Sequence, residues 1–550
     1  MFMTKKTKWL VAAGATLVAA TTLVACSNSS SSTSSSKDIN WAVPTEILTL
    51  DISKNTDHYS ALAIGNSGSN IYRLGKNSKL ELDLAKKVDV SDDGKTYTIT
   101  LRDNLKWSDG SKLTAKDFVY SWQRIVNPET ASEYAYLVSE AHVVNATEIN
   151  SGQITDLNQL GVKAESDTKL VFTLTSPSPQ FKYFLAFANF MPQKESAVKE
   201  YGKNYATASK YQVYSGPYTV TGWNGSNGTF KLKKNKYYWD AKNVKTDTVN
   251  VQTVKKPDTA VQMYKRGELD NANISATSAI YNANKNNKDV VDVFEATTSY
   301  MSYNMSGSTK GLDNKKIRQA LNLATDRDAV VKAAVDTGST AATAFVPYKL
   351  ETLTNGKDLT DYVAPGYKYD VKEAAKLFKE GLAEAGLTSL KLTITADADS
   401  PAAKNLVDYI KSTWESNLPG LTIEEKFVTF KQRLEDTKNQ NFDVAVVLWG
   451  GDYPEGSTFY GLFQSTAAYN YGKFNSEAYD AVYTKAVTTD ATDQEAGAKD
   501  YKEAEKILFD EAAYNPLYFR NTKALRNPKL TGLVENTTGL NTDFTHAYKK

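Results

Sequence analysis

Hydrophobic residues recur along this chain with two different periods, and the period changes near residue 300. Before that point alternation prevails. Over residues 95–101, Tyr97, Ile99 and Leu101 fall on one face, as in a half-buried strand. Leu170, Phe172 and Leu174 repeat the pattern, and residues 216–254 read as antiparallel strands separated by glycine turns. One helix interrupts them. Thr114, three positions before Asp117, is placed to cap its first turn, and Phe118, Trp122 and Ile125 form its apolar stripe.

Beyond residue 300 helical spacing dominates. Ile317, Leu321 and Ala324 share one stripe, and Val371, Ala375, Phe378 and Leu382 another, with Gly386 as a stop. Strands and helices then alternate. Residues 390–395 form a strand, 402–414 a helix with Leu406, Ile410 and Trp414 inward, 421–428 a strand, 430–438 a helix and 442–449 a strand. This βαβαβ order predicts a parallel sheet with right-handed crossovers. No short-period internal repeat is present.

The last of these strands ends in Trp449-Gly450-Gly451-Asp452-Tyr453-Pro454. In open α/β sheets ligands bind just beyond the carboxyl ends of the strands. Glycines there admit a close backbone approach, and Asp452 can meet a cation or an amine. The same residues are also good turn chemistry, so the pattern alone leaves both readings open.

The chain has 550 residues, long enough for two or three domains. Its beginning is a targeting segment. Lys5, Lys6 and Lys8 precede an apolar run too short to span a bilayer comfortably, ending Leu23-Val24-Ala25-Cys26. This resembles the bacterial lipobox, in which the cysteine is lipidated and becomes the new N-terminus. The other reading is an ordinary signal peptide. Cys26 is the only cysteine, so the exported chain has no disulfide. Loss of residues 1–25 removes three lysines and no acid. The 65 basic side chains then become 62 against 63 acidic ones, a net charge of −1. The basic excess belongs to the leader, and no bulk charge favours nucleic acid. Residues 27–36, nearly all serine, read as a flexible tether. Such an anchor and leash suit the outer face of a Gram-positive cell membrane.

Several stretches in order resemble the extracytoplasmic oligopeptide-binding proteins of ABC importers, solute-binding family 5. They are Leu48-Thr49-Leu50-Asp51, "LKWSDGSKLTAKDFVYSWQRIVNPETASEY" at 105–134, "YSGPYTVTGW" at 214–223, "NKYYWD" at 235–240, "RGELD" at 266–270 and "IRQALNLATDRDAVV" at 317–331. The strand end at Asp452 resembles the family's W-x-x-D-Y element. The resemblance implies an α/β, two-lobed periplasmic-binding-protein-like fold (type II, cluster C) with an extra inserted domain and the ligand enclosed between lobes. It implies a signal peptide at 1–25, lipidated Cys26 with a tether to residue 36, and a first lobe split over 37–60, 195–298 and 520–550. The inserted domain would span 61–194 and the second lobe 299–519.

The same resemblance assigns roles. Asp452 would pair with a peptide's α-amino group. Main chain at Trp449 and Gly450, and at Glu46, Ile47 and Leu48 on the other lobe, would bond the peptide backbone. Tyr134 matches a cleft tyrosine, and Gly451, Tyr453, Tyr303 and Asn304 complete the candidate peptide contacts. The implied partners are oligopeptides, the permease subunits of the importer and, through the lipid, the membrane. A monomer with no cofactor and no metal is expected. Two positions depart from the family pattern. Ile52 stands where the family has proline. Val446, three before Trp449, stands where some enterobacterial members have a basic residue that helps bind the peptide carboxylate, which points to a range of ligand lengths.

A secreted enzyme is the competing class. Cys26 would be acylated and so cannot be a nucleophile. His58, His142 and His546 are widely separated and lack metal spacing, and no G-x-S-x-G elbow or P-loop is present. A glycosidase-type carboxylate pair would be invisible among 63 acidic residues. Within the family, binders of nickel chelates, sugars or signalling peptides are the alternatives.

Overall fold

The computed structural model describes residues 37–178, 180–335 and 338–550. Cys26, the leader and the serine-rich segment lie outside these residues. The periodic segments form the elements their spacing predicts. Thr114 and Asp117 make a capping box at the start of the helix Ala115–Val126, which buries Phe118, Trp122 and Ile125. The helices Lys315–Leu323, Val371–Glu384, Pro401–Asn417 and Phe430–Lys438 occupy the expected places.

The largest sheet has seven strands. Its order is Asn271–Asn273, Tyr514–Arg526, Val290–Tyr303, Val444–Gly450, Leu390–Asp397 and Leu421–Val428, with Thr340–Ala341 beside Tyr514–Arg526. The three strands of the βαβαβ run are parallel, as expected. The sheet as a whole is mixed, because Val290–Tyr303 runs antiparallel to both Val444–Gly450 and Tyr514–Arg526. Alternation sends the two sides of each strand into two cores. Met301, Tyr303, Val444 and Val446 pack with Ile317, Phe378, Leu406 and Trp414. Tyr300, Ala445, Val447 and Trp449 pack with Phe345, Phe459 and Tyr514 on the other side.

A second sheet of four strands combines Ile39–Val43 with Thr248–Thr253, Thr229–Lys234 and Tyr218–Thr221. Its core draws Phe544 and Ala547 from the end of the chain. A third, antiparallel sheet of Ala85–Val90, Thr96–Leu101, Lys169–Thr173 and Val162–Ala164 belongs to the core that holds Trp107, Trp122 and Phe181. The chain is thus two-lobed. Val290–Tyr303 and Tyr514–Arg526 form a ladder whose register shifts between Phe294 and Thr298 and again between Ser299 and Tyr300. Such irregularities locally bend and twist a strand pair.

The motif aspartate Asp51 is buried against Arg124 of the capped helix, with Nη1–Oδ1 at 2.6 Å and Nη2–Oδ2 at 2.7 Å. Arg318 and Arg327 are likewise buried, donating to the carbonyls of Leu312, Glu511, Ala512 and Pro516. These motif residues therefore build the scaffold.

Candidate functional site

Asp452 stands just past the strand Val444–Gly450, on the loop that leads into the helix Ser457–Tyr460. Three hydrogen bonds fix this loop. Gly451 N–H donates to Ala296 O at 2.8 Å, Asp452 N–H to Thr458 Oγ1 at 2.9 Å, and Trp449 Nε1 to Thr458 O at 2.8 Å. At both glycines a Cβ would be crowded by neighbouring side chains. A Cβ on Gly450 would lie 3.0 Å from His58 Nε2, and one on Gly451 would lie 3.0 Å from Leu350 Cδ1.

Among the described residues, the strand presents an unshared edge. Its partner on one side, Val290–Tyr303, follows it to Gly450, whereas Leu390–Asp397 pairs only with Val444 and Ala445. Asn304 N–H donates to Asp443 O and Gly451 N–H donates to Ala296 O, so the odd-numbered residues turn their main chain toward Val290–Tyr303. Leu448 and Gly450 therefore turn theirs outward, past the point where the neighbouring ladder ends. The main chain of Trp449 is engaged with Val290–Tyr303, whereas that of Leu448, like that of Gly450, faces away from it. Strand parity is the signal that identifies Leu448.

Around the carboxylate stands a group of aromatic rings. Tyr134 Oη donates to Asp452 Oδ1 at 3.3 Å. Tyr469 lies 6.1 Å from Tyr134, 5.8 Å from Tyr136 and 4.9 Å from Trp449, and its hydroxyl is buried with no hydrogen-bond partner. No cation pairs with Asp452 among the described residues. Burial pushes its carboxyl up to about 7, against the opposing pull of the Tyr134 hydroxyl. Glu140, at the end of the helix Ala135–Glu140, is pushed up to about 8 by burial and then by the charges of Asp452 and Glu455. Glu351 and Glu455 are also raised by burial, and Glu455 adds to the effect on Glu351. These two line a cleft of about 1050 Å³ together with Pro454, Lys349 and Asn536. The three additional acids carry no local sequence pattern and were not among the expected site residues.

The remaining candidates divide. Tyr453 is buried, T-stacked on Phe184 at 5.0 Å, and its hydroxyl bonds Ser457; it joins the core of the third sheet. Glu46 pairs with Lys255 at 3.2 Å, Ile47 is buried, and Leu48 is 51 % exposed with its N–H donated to Ser60 Oγ at 2.8 Å. Tyr303 and Asn304 do not come to the site. Antiparallel pairing places Tyr303 opposite Val444, at the far end of the strand from Asp452. There Tyr303 Oη donates to Asn322 and Asn304 Nδ2 donates to Phe442 O. Val446 packs in the core with Ile317, Leu406 and Trp414, and Trp449 in the core on the other side of the sheet. Of the histidines, His58 borders Gly450, and His142 Nε2 lies 3.0 Å from Val487 O.

Comparison with known proteins gives a consistent result. The model of bacterial extracellular solute-binding proteins, family 5, matches residues 79–471. The dipeptide-binding protein of Lactococcus lactis subsp. cremoris is 43% identical over 525 residues, 94% of either chain. The oligopeptide-binding protein OppA of Bacillus subtilis is 29% identical, covering 93% of this chain and 92% of its own. Among solved structures, Listeria monocytogenes OppA bound to peptide superposes with a TM-score of 0.86 at 33% identity, over 93% of this chain and 99% of that one. The pheromone receptor PrgZ superposes with a TM-score of 0.86 at 28% identity, over 93% and 99%.

Proposed function

Because the chain belongs to family 5 of the bacterial extracellular solute-binding proteins, we propose that it binds extracellular oligopeptides and hands them to the permease subunits of an ABC importer. The observation that carries this reading is a partly buried carboxylate, without a cation partner among the described residues, at the end of a strand whose edge is open. Asp452 holds the peptide's α-ammonium, and Leu448 and Gly450 bond its backbone as an added strand. A charge pair removed from water is strong, so it fixes register while leaving side chains free to vary. The lobes divide at 298/299 and 519/520, near the register shifts in the two long strands, and close on the ligand there. No chemical step is required, and cleavage forms no part of the function. Incubation with a mixed peptide pool followed by native mass spectrometry tests this: intact peptides should be retained, and accumulation of fragments would favour a hydrolase.

The site predicts a pH dependence. Proton and ammonium compete for Asp452. With the free carboxyl near 7, affinity should fall toward tenfold per pH unit on acidification below about 7. Above about 8 the ligand's own α-amine loses its proton, so binding should peak between these values. Calorimetric titration of a neutral tripeptide from pH 5 to 9 checks this, and Asp452→Asn should flatten the acid limb.

Anchoring follows from Leu23-Val24-Ala25-Cys26. The protein works as a lipid-anchored monomer at the outer face of the membrane, on the serine-rich leash. No helix among the described residues is long and apolar enough to cross a membrane. Cys26→Ser should release the protein to the medium or leave it unprocessed; fractionation and mass measurement of the mature chain decide.

A further inference from the structure

Arg433, on the helix Phe430–Lys438, is a buried guanidinium with an unused donor. Its side chain is 4% exposed, and Nε donates to Asp397 Oδ1 at 2.7 Å. Nη1 is enclosed and has no hydrogen-bond partner among the described residues. A buried donor without an acceptor is costly, more so on a charged group, unless something arrives to satisfy it. Asp397 fixes where this guanidinium stands. It is the last residue of the strand Leu390–Asp397. That strand pairs with Val444–Gly450 only at Ile394–Val444 and Thr395–Ala445. Two further steps put Asp397 level with Val447, where the two main chains are no longer joined. Ile394 and Ala396 point into the core of Ile317, Leu406 and Trp414. Thr395 and Asp397 therefore point to the opposite face, the one that carries Ala445, Val447 and Trp449. Thr395 Oγ1 is likewise buried without a partner, as is the hydroxyl of Tyr469, whose ring packs on Trp449. Arg433 thus stands where the open strand edge that begins beside Asp452 comes to its end.

We propose that Arg433 receives a carboxylate of the ligand, three or four residues from the ligand's amino end. The inference rests on the α-amine reading of Asp452. A peptide with its amine at Asp452 that follows the edge toward Val444 runs antiparallel to this strand. Gly450 and Leu448 turn their main chains outward, so they take the first and third residues of the ligand. The next step reaches the level of Val447 and Asp397. There the planar guanidinium offers a charge-assisted hydrogen bond to a carboxylate. Asp397 orients the group through Nε and leaves Nη1 for the ligand. The carboxylate is the C-terminus of a tri- or tetrapeptide, or an acidic side chain of a longer one. Val446 carries no cation on the strand itself, and the helix that follows the neighbouring strand supplies it.

Calorimetric titration compares Ala-Ala-Ala with its C-terminal amide, and Ala-Ala-Glu-Ala-Ala with Ala-Ala-Gln-Ala-Ala. In the natural protein at least one pair should differ by about tenfold or more, the scale of one charge-assisted hydrogen bond. A loss on amidation identifies the C-terminus as the source, and a preference for glutamate identifies the side chain. Arg433→Gln should bring the differing pair close together. That change alone strands Asp397, so the double variant Arg433→Gln, Asp397→Asn, which leaves no isolated charge, is measured beside it. Two indistinguishable pairs in the natural protein, or a difference that the double variant keeps, overturns the proposal. N-acetylated versions of both pairs separate the two readings. Acetylation without effect, with an Arg433-dependent carboxylate preference intact, removes the α-amine reading and leaves Arg433 as the carboxylate receptor. A large acetylation effect with no Arg433-dependent preference removes this proposal alone.

Discussion

Replacing Asp452 by asparagine should weaken binding of a free peptide by about 2–5 kcal/mol and leave the weak binding of its N-acetylated form nearly unchanged. The size follows from the site. The carboxylate is flanked by Tyr134, Tyr136 and Tyr469 and meets no cation among the described residues, so a bound ammonium would be its opposite charge. Removing the carboxylate leaves that ammonium desolvated and unpaired. Asparagine keeps the shape and can still accept from Tyr134, and the loop is held mainly through main-chain groups of Gly451 and Asp452 and the Trp449 ring. Fold stability should therefore change little. A cycle of Asp or Asn against free or acetylated peptide measures the coupling directly. A coupling near zero would show that Asp452 only shapes the turn.

The second large effect lies in the scaffold. Arg124→Met should destabilise the fold by about 3–5 kcal/mol, because it strands the Asp51 carboxylate in a buried site. Both groups are mostly enclosed, with side chains 14% and 7% exposed, and Gln193 Oε1 also accepts from Arg124 at 2.8 Å. The double variant Asp51→Asn, Arg124→Met should recover a large part of the loss, since no isolated charge remains. Thermal and denaturant unfolding of the four proteins gives the cycle. Equal stability of the single and double variants would mean that the pair matters for packing and not for charge. This explains why the Leu48–Asp51 element and the helix carrying Arg124 belong together although 73 positions separate the two charges.

Local order is what the sequence displays best. The helix over Ala115–Val126 and the alternating strands and helices from Leu390 to Gly450 are visible because each carries its own period and its own caps. Asp452 stands out for a related reason: a strand that ends in two glycines and an acid has the pattern of a place where ligands can bind, although the same residues also suit a turn. What fails to show is pairing over long distances. Nothing local announces that Val290–Tyr303 will lie between Tyr514–Arg526 and Val444–Gly450, so the sheet reads as parallel from its helical half alone. The same blindness draws Tyr303 and Asn304 toward the site, whereas antiparallel register carries them to the opposite end of the strand. Whether Leu448 or Trp449 turns its main chain away from Val290–Tyr303 is set by parity, which depends on which neighbour each main chain faces.

The most direct test of the α-amine assignment is a crystal structure of the protein grown with a free tripeptide. The expected result places the peptide's α-nitrogen about 2.7–2.9 Å from an Asp452 carboxylate oxygen, with the peptide backbone bonded to the main chain of Leu448 and Gly450. A peptide bound in the reverse direction, or with its amine away from Asp452, would contradict it.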